Sequence, residues 1–153
     1  MSRSDARCGL IDTNVLVYAD VPESEFHQRA RALRDLALAG DISCVVAQQN
    51  LVEYAAILSD SRRVAKAVPL KAIARTLAAY EQSAGIKIIT PNDGTLGYFM
   101  ELLNSGKALG QHIFDTYLVA TMLSNGVDLI YTADHGFKKF KSIKVVNPFE
   151  SHA

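Results

Sequence analysis

Short apolar runs alternate along this chain with longer stretches in which apolar residues recur every three or four positions. Residues 8–12 form the first run, a buried strand (Cys8, Gly9, Leu10, Ile11) closed by Asp12. From Glu23 to Ala39, Phe26, Ala30, Leu33 and Ala37 fall at helical spacing, and Gly40 ends the pattern. Ile42 to Val46 reads as a second strand, and Gln48 to Ser59 as a helix with Leu51, Tyr54, Ala55 and Leu58 on its core face. Pro69 suits the first turn of a helix reaching about Ser83. Ile86 to Ile89 is a third strand, followed by a helix from Gly94 to Asn104 that Gly106 ends. His112 to Ser124 is apolar on nearly every side, which predicts a central helix; Asp128 to Thr132 and Ile143 to Val146 complete the strands. Strands alternating with helices predict an α/β fold, with a mostly parallel sheet covered on both faces.

Composition narrows the class. With 153 residues, 49% of them apolar and 21% charged, the chain suits one globular domain with a sizeable core rather than a disordered segment. No repeats, low-complexity tracts or interdomain linker interrupt it. No apolar run approaches the roughly 18 residues of a membrane span, and residues 1–7 lack the apolar stretch of a signal peptide. A cytoplasmic protein without membrane attachment is therefore expected, with a flexible segment at 1–7 and a short tail at 151–153. Cys8 and Cys44 fall in strand-like runs and read as small packed hydrophobes. Sixteen basic and sixteen acidic residues cancel, so net charge does not advertise nucleic-acid binding. Local clusters do occur: Arg29, Arg31 and Arg34; Arg62, Arg63 and Lys66; Lys138, Lys139, Lys141 and Lys144. Each reads more simply as a solvated face than as a phosphate track.

The candidate chemistry lies in four acids at the edges of core segments: Asp12, Glu53, Asp115 and Asp134. Each has an ordinary explanation. Asp12 could cap a helix at a strand-to-helix turn, Glu53 could be a solvated carboxylate, Asp115 could favour a helix dipole, and Asp134 could begin a turn. Together they suggest a shared counter-charge, because buried carboxylates are costly without partners and two of them about 4 Å apart repel by a few kcal/mol. Ligands of open parallel sheets bind beyond the C-terminal strand ends where strand order reverses. If the first and fourth strands are neighbours there, Asp12 and Asp134 face one crevice. Hard divalent cations prefer such oxygen ligands and can promote phosphodiester hydrolysis. His112 and His135 read as exposed or capping histidines, since a zinc site wants a fuller His/Cys set.

Four segments in order carry a resemblance: Leu10-Ile11-Asp12-Thr13-Asn14-Val15-Leu16-Val17-Tyr18-Ala19, Gln49-Asn50-Leu51-Val52-Glu53-Tyr54, Phe114-Asp115-Thr116-Tyr117-Leu118-Val119-Ala120-Thr121, and Ile130-Tyr131-Thr132-Ala133-Asp134, with Val145-Val146-Asn147-Pro148-Phe149 as the closing stretch. Over residues 8–150 the chain resembles PIN-domain ribonucleases, particularly the VapC-type toxins of toxin–antitoxin pairs. The resemblance implies a three-layer α/β/α sandwich with a four- to five-stranded sheet. It implies that Asp12, Glu53, Asp115 and Asp134 form the Mg2+- or Mn2+-binding and catalytic set, supported by Thr13, Asn14 and Thr132. It implies hydrolysis of RNA by activated water, leaving a 5′-phosphate, with an antitoxin protein and a second copy of the chain as partners. One departure is Gly136 before Phe137, where many members carry an additional Asp.

Two other functions use similar parts. A receiver-like phospho-acceptor or phosphatase also has an acidic Mg2+ pocket, but it wants paired acids near the first strand, and Ile11, Thr13 and Asn14 are not acidic. A non-catalytic PIN-like scaffold that binds RNA would not need all four acids.

Overall fold

The computed structural model describes residues 7–106 and 112–150. The flexible segment expected at 1–7 and the tail at 151–153 lie outside these residues, apart from Arg7, whose Nε donates to Asp128 Oδ1 at 2.8 Å. Five strands run parallel: β1 (Gly9–Ile11), β2 (Cys44–Ala47), β3 (Ile86–Ile89), β4 (Leu129–Tyr131) and β5 (Lys144–Val146). Their order is β3-β2-β1-β4-β5. The chain therefore builds outward from β1 to β3, crosses back, and continues on the other side of β1. Leu10 is level with Ile130 and Ile11 with Tyr131, so β1 and β4 are the neighbours that the crevice requires.

Alternation within the strands divides the core into two layers. Ile11, Cys44 and Val46 face α1 (Thr13–Ala19), α2 (His27–Leu38), α3 (Gln48–Leu58) and α4 (Leu70–Gln82). Leu10, Val45 and Ile130 face the other way, against α6 (Ile113–Ser124) and the 3-10 turn at His135–Lys139, with Leu102 of α5 (Thr95–Asn104) at the margin. The result is an α/β/α sandwich, as expected, with every strand pairing parallel. Cys8 and Cys44 form no disulfide, and burial pushes the Cys44 thiol up to about 12.

Several boundaries differ from the sequence reading. The helix expected from Glu23 begins at His27, because Ser24 Oγ accepts from the Phe26 amide and turns the chain first. Pro69 caps α4 from just outside it. Helix α1 was not expected as an element. It is seven residues long, too short to persist alone, and survives because Val15, Leu16, Val17 and Ala19 are buried.

Gly85, entering β3, passes against the end of α2: a Cβ there would overlap the backbone carbonyl oxygens of Ala37 and Leu38. Gly97, inside α5, has open space around it. Gly85→Ala should therefore lose about 2 kcal/mol of unfolding free energy, while Gly97→Ala should gain up to about 1 kcal/mol. Urea titration of both variants measures the difference.

Candidate active site

Asp12 follows the last residue of β1, and its backbone amide extends the ladder to Tyr131 O. Its carboxylate makes no helix-capping bond and is only 6% exposed. Side chains from three elements hold it instead. Thr132, just past β4, donates to Oδ2 at 2.7 Å. Asn50 of α3 donates to Oδ1 at 3.3 Å, and Asn14 of α1 approaches Oδ2 at 3.4 Å. The switch point between β1 and β4 is thus closed around one carboxylate.

The network continues outward. Asn14 Nδ2 also donates to Thr132 Oγ1 at 3.1 Å, and its Oδ1 accepts from the Ala133 amide. Thr13 Oγ1 donates to Glu53 Oε2 at 2.8 Å, while Gln49 Nε2 donates to Glu53 Oε1 and to the Phe114 carbonyl, both at 3.1 Å. Thr13, Asn14 and Thr132 therefore all touch a carboxylate or its partner. Asn50 and Gln49 were not expected in this role. Asn50 is fully buried, its Oδ1 accepting from the Ala47 amide as its Nδ2 spans Asp12 and Thr13. Its signal was a polar residue three positions into an apolar helix. Gln49 Oε1 is buried without a donor beside Glu53.

Asp115 lies in the first turn of α6, half-buried, with His112 Nδ1 3.6 Å from its Oδ2. Asp134 is exposed, and its Oδ1 accepts from the Gly136 amide at 2.8 Å. The ordinary reading of Asp134 as a turn-starter therefore holds alongside any chemical role. His135 is exposed and sits 3.8 Å from Glu150.

The four acids border one edge of the sheet and feel one another. Burial, opposed by the Thr132 hydrogen bond and reinforced by Glu53 and Asp115, raises Asp12 from an ordinary 3.8 to about 6. Burial, then Asp134, raises Asp115, with His112 opposing. Yet among the described residues no three His, Cys, Asp or Glu side chains stand close enough to enclose one ion. The four acids form an acidic edge, with Asp12 and Glu53 locked by hydrogen bonds and Asp115 and Asp134 nearer solvent. The donors along this edge are carboxylate oxygens, with the His112 imidazole beside Asp115, a set that a hard divalent cation could take with several of its waters kept.

Three arginines of the clusters have partners away from the acids. Arg34 pairs with Asp20, Arg29 donates to the Phe149 carbonyl at 2.7 Å, and Arg62 clasps Asp60. A hollow of about 820 Å3 beside β3 and α4 touches none of the four acids. A second, of about 560 Å3 between α3 and α6, includes Glu53 in its wall.

The PIN domain profile matches residues 9–143. The chain belongs to the PIN-domain family. A similar protein is ribonuclease VapC48 of Mycobacterium tuberculosis, 22% identical over 138 residues, spanning 90% of this chain and 95% of that protein. Among solved structures, this PIN domain resembles Mycobacterium tuberculosis VapC20, a Sarcin–Ricin loop cleaving toxin, with a TM-score of 0.62 and 17% identity over 85% of this chain and 92% of that one. It also resembles a chain of VapBC2 from Rickettsia felis bound to a promoter DNA fragment, with a TM-score of 0.61 and 17% identity over 92% and 98%. No helix among the described residues is long and apolar enough to cross a membrane.

Raising the pKa of a buried acid makes its ionisation oppose folding. The Asp12 contribution to stability is therefore intact below pH 3.8 and declines as pH rises to about 6, by about 3 kcal/mol. In EDTA, Asp12→Asn should flatten this part of the profile and exceed wild type in stability at pH 8. Urea midpoints from pH 4 to 8 measure this; a variant weaker than wild type at pH 8 would show that the bonds to Asp12 outweigh its desolvation.

Proposed function

We propose that this PIN domain is a divalent-metal-dependent endoribonuclease and the toxin of a toxin–antitoxin pair. The observation carrying the reading is the buried Asp12 carboxylate at the β1–β4 switch point, hydrogen-bonded from α3 and β4 and raised in pKa by burial, with Glu53 and Asp115 adding to it. A protein gains nothing in stability from holding such a group; a cation gives it a partner. Resemblance to named ribonucleases and toxin–antitoxin complexes supplies the substrate class.

Asp12, Asp115 and Asp134 would hold Mg2+ or Mn2+ directly or through water. Bound there, the cation would lower the pKa of a coordinated water and neutralise charge on the phosphate. Glu53, fixed at both oxygens by Thr13 and Gln49, either completes the ligand shell or accepts the attacking water's proton. Thr132 and Asn50 orient Asp12, and Asn14 braces Thr132. Attack in line with the leaving oxygen would leave a 5′-phosphate on the downstream fragment. An antitoxin would silence the protein, and a second copy would complete the assembly, both in the cytoplasm.

Cleavage-site mapping on total RNA with Mn2+ tests the reading. Wild type should cut at discrete sites, EDTA should abolish cutting, and Asp12→Asn or Asp115→Asn should lower kcat at least about 100-fold. At subsaturating Mn2+, activity should rise with pH through about 6 as protons stop competing with the cation for Asp12, and saturating Mn2+ should move that rise to lower pH. Equal cutting by the variants would assign the activity to a contaminant and leave a non-catalytic scaffold; a phosphate adduct from a small phosphodonor would favour a phospho-acceptor.

A further inference from the structure

The second hollow is a cleft whose rim carries an exposed aromatic. Phe114 stands immediately before Asp115 and is 72% exposed, although α6 is otherwise apolar and largely buried. Across from it, on α3, Val52 is 65% exposed. Tyr117 follows one turn after Phe114 on the same wall, and its ring meets Phe99 edge-on at 5.5 Å, which holds it in place. Pro91 closes another side, and Glu53 stands in the wall towards the acids. Gln49 ties the two helices together by donating at once to Glu53 and to the Phe114 carbonyl. The Phe114 backbone is thus anchored while its ring is left in solvent.

We infer that this cleft receives one unpaired nucleobase of the RNA, stacked against Phe114, and that it sets which nucleotide lies beside the cut. The inference rests on the ribonuclease reading. Its basis is the shared wall: Glu53 belongs to the acidic edge and to the cleft, and Phe114 is bonded in sequence to Asp115. A phosphate held at the acids brings its own nucleotide to this opening. The cleft's volume of about 560 Å3 is within the roughly 300–1,000 Å3 of small-molecule sites. Single-stranded RNA is recognised chiefly through splayed bases stacked on aromatic rings. The cleft is mainly apolar apart from Glu53 and the two glutamines, which suits a flat π-face better than it suits a phosphate. Phe114 therefore acts as a specificity-determining residue, away from the bond-breaking step.

The test uses short single-stranded RNAs containing a mapped cleavage site, with 2-aminopurine moved through successive positions. With Ca2+ in place of Mn2+, to hold the phosphate at the acids while cutting is slowed, wild type should quench one position, Phe114→Ala should lose that quench, and Phe114→Trp should keep it. In Mn2+, Phe114→Ala should raise KM about ten- to hundredfold, leave kcat within about threefold, and relax the base preference at that position. Unchanged KM and preference in Phe114→Ala, with wild type cutting normally, would overturn the inference and leave the ribonuclease reading standing. Loss of self-association or of antitoxin binding in Phe114→Ala, with RNA recognition intact, would also overturn it by making the rim a protein contact. If wild type cuts no RNA, random single-stranded RNAs carrying 2-aminopurine replace the mapped ones, and a quench lost in Phe114→Ala would support a base-binding cleft while sinking the ribonuclease reading. Because the ring is exposed, the variants should melt with wild type.

Discussion

The architecture of this PIN domain is arranged around keeping one carboxylate dry. Asp12 is placed by β1, and its position is enforced by Thr132 from the neighbouring strand and Asn50 from a helix that follows the other neighbouring strand. Those contacts exist only if β1 lies between β2 and β4 in the observed order. A mis-ordered sheet would strand the carboxylate, so the site and the topology depend on the same pairing. Holding an acid at a raised pKa is a stability cost that a scaffold without ligands would have little reason to keep.

Where the sequence periodicity was strong, the fold was legible. All five strands and the helices from α2 onward follow from apolar spacing, with ends shifted by a few residues, as at Ser24 and at the second strand, expected over Ile42–Val46 and found over Cys44–Ala47. Helix α1 was hidden because its run Val15-Leu16-Val17 is apolar in consecutive positions, which mimics a strand until tertiary burial decides. The acids were legible as misfits at core edges. Their holders were not, because Asn50 and Gln49 look like ordinary polar helix residues. Only the convergence of three elements shows that Asn50 joins a helix start to Asp12. How closely the acids gather was not legible, since spacing along a chain carries no information on side-chain convergence.

Charge is handled locally. The net charge is zero, and Arg34, Arg62 and Arg29 are engaged with Asp20, Asp60 and a backbone carbonyl.

The strand order also leaves β3 and β5 as the two outer rails of the sheet. Each has unsatisfied main-chain partners along one side, a template on which another chain could extend the ladder into a polymer. Each also carries an outward lysine, Lys87 and Lys144. Stacking copies rail to rail would crowd like charges at every junction, so these two side chains act as guards against runaway assembly in a molecule whose neutral balance gives it little repulsion elsewhere.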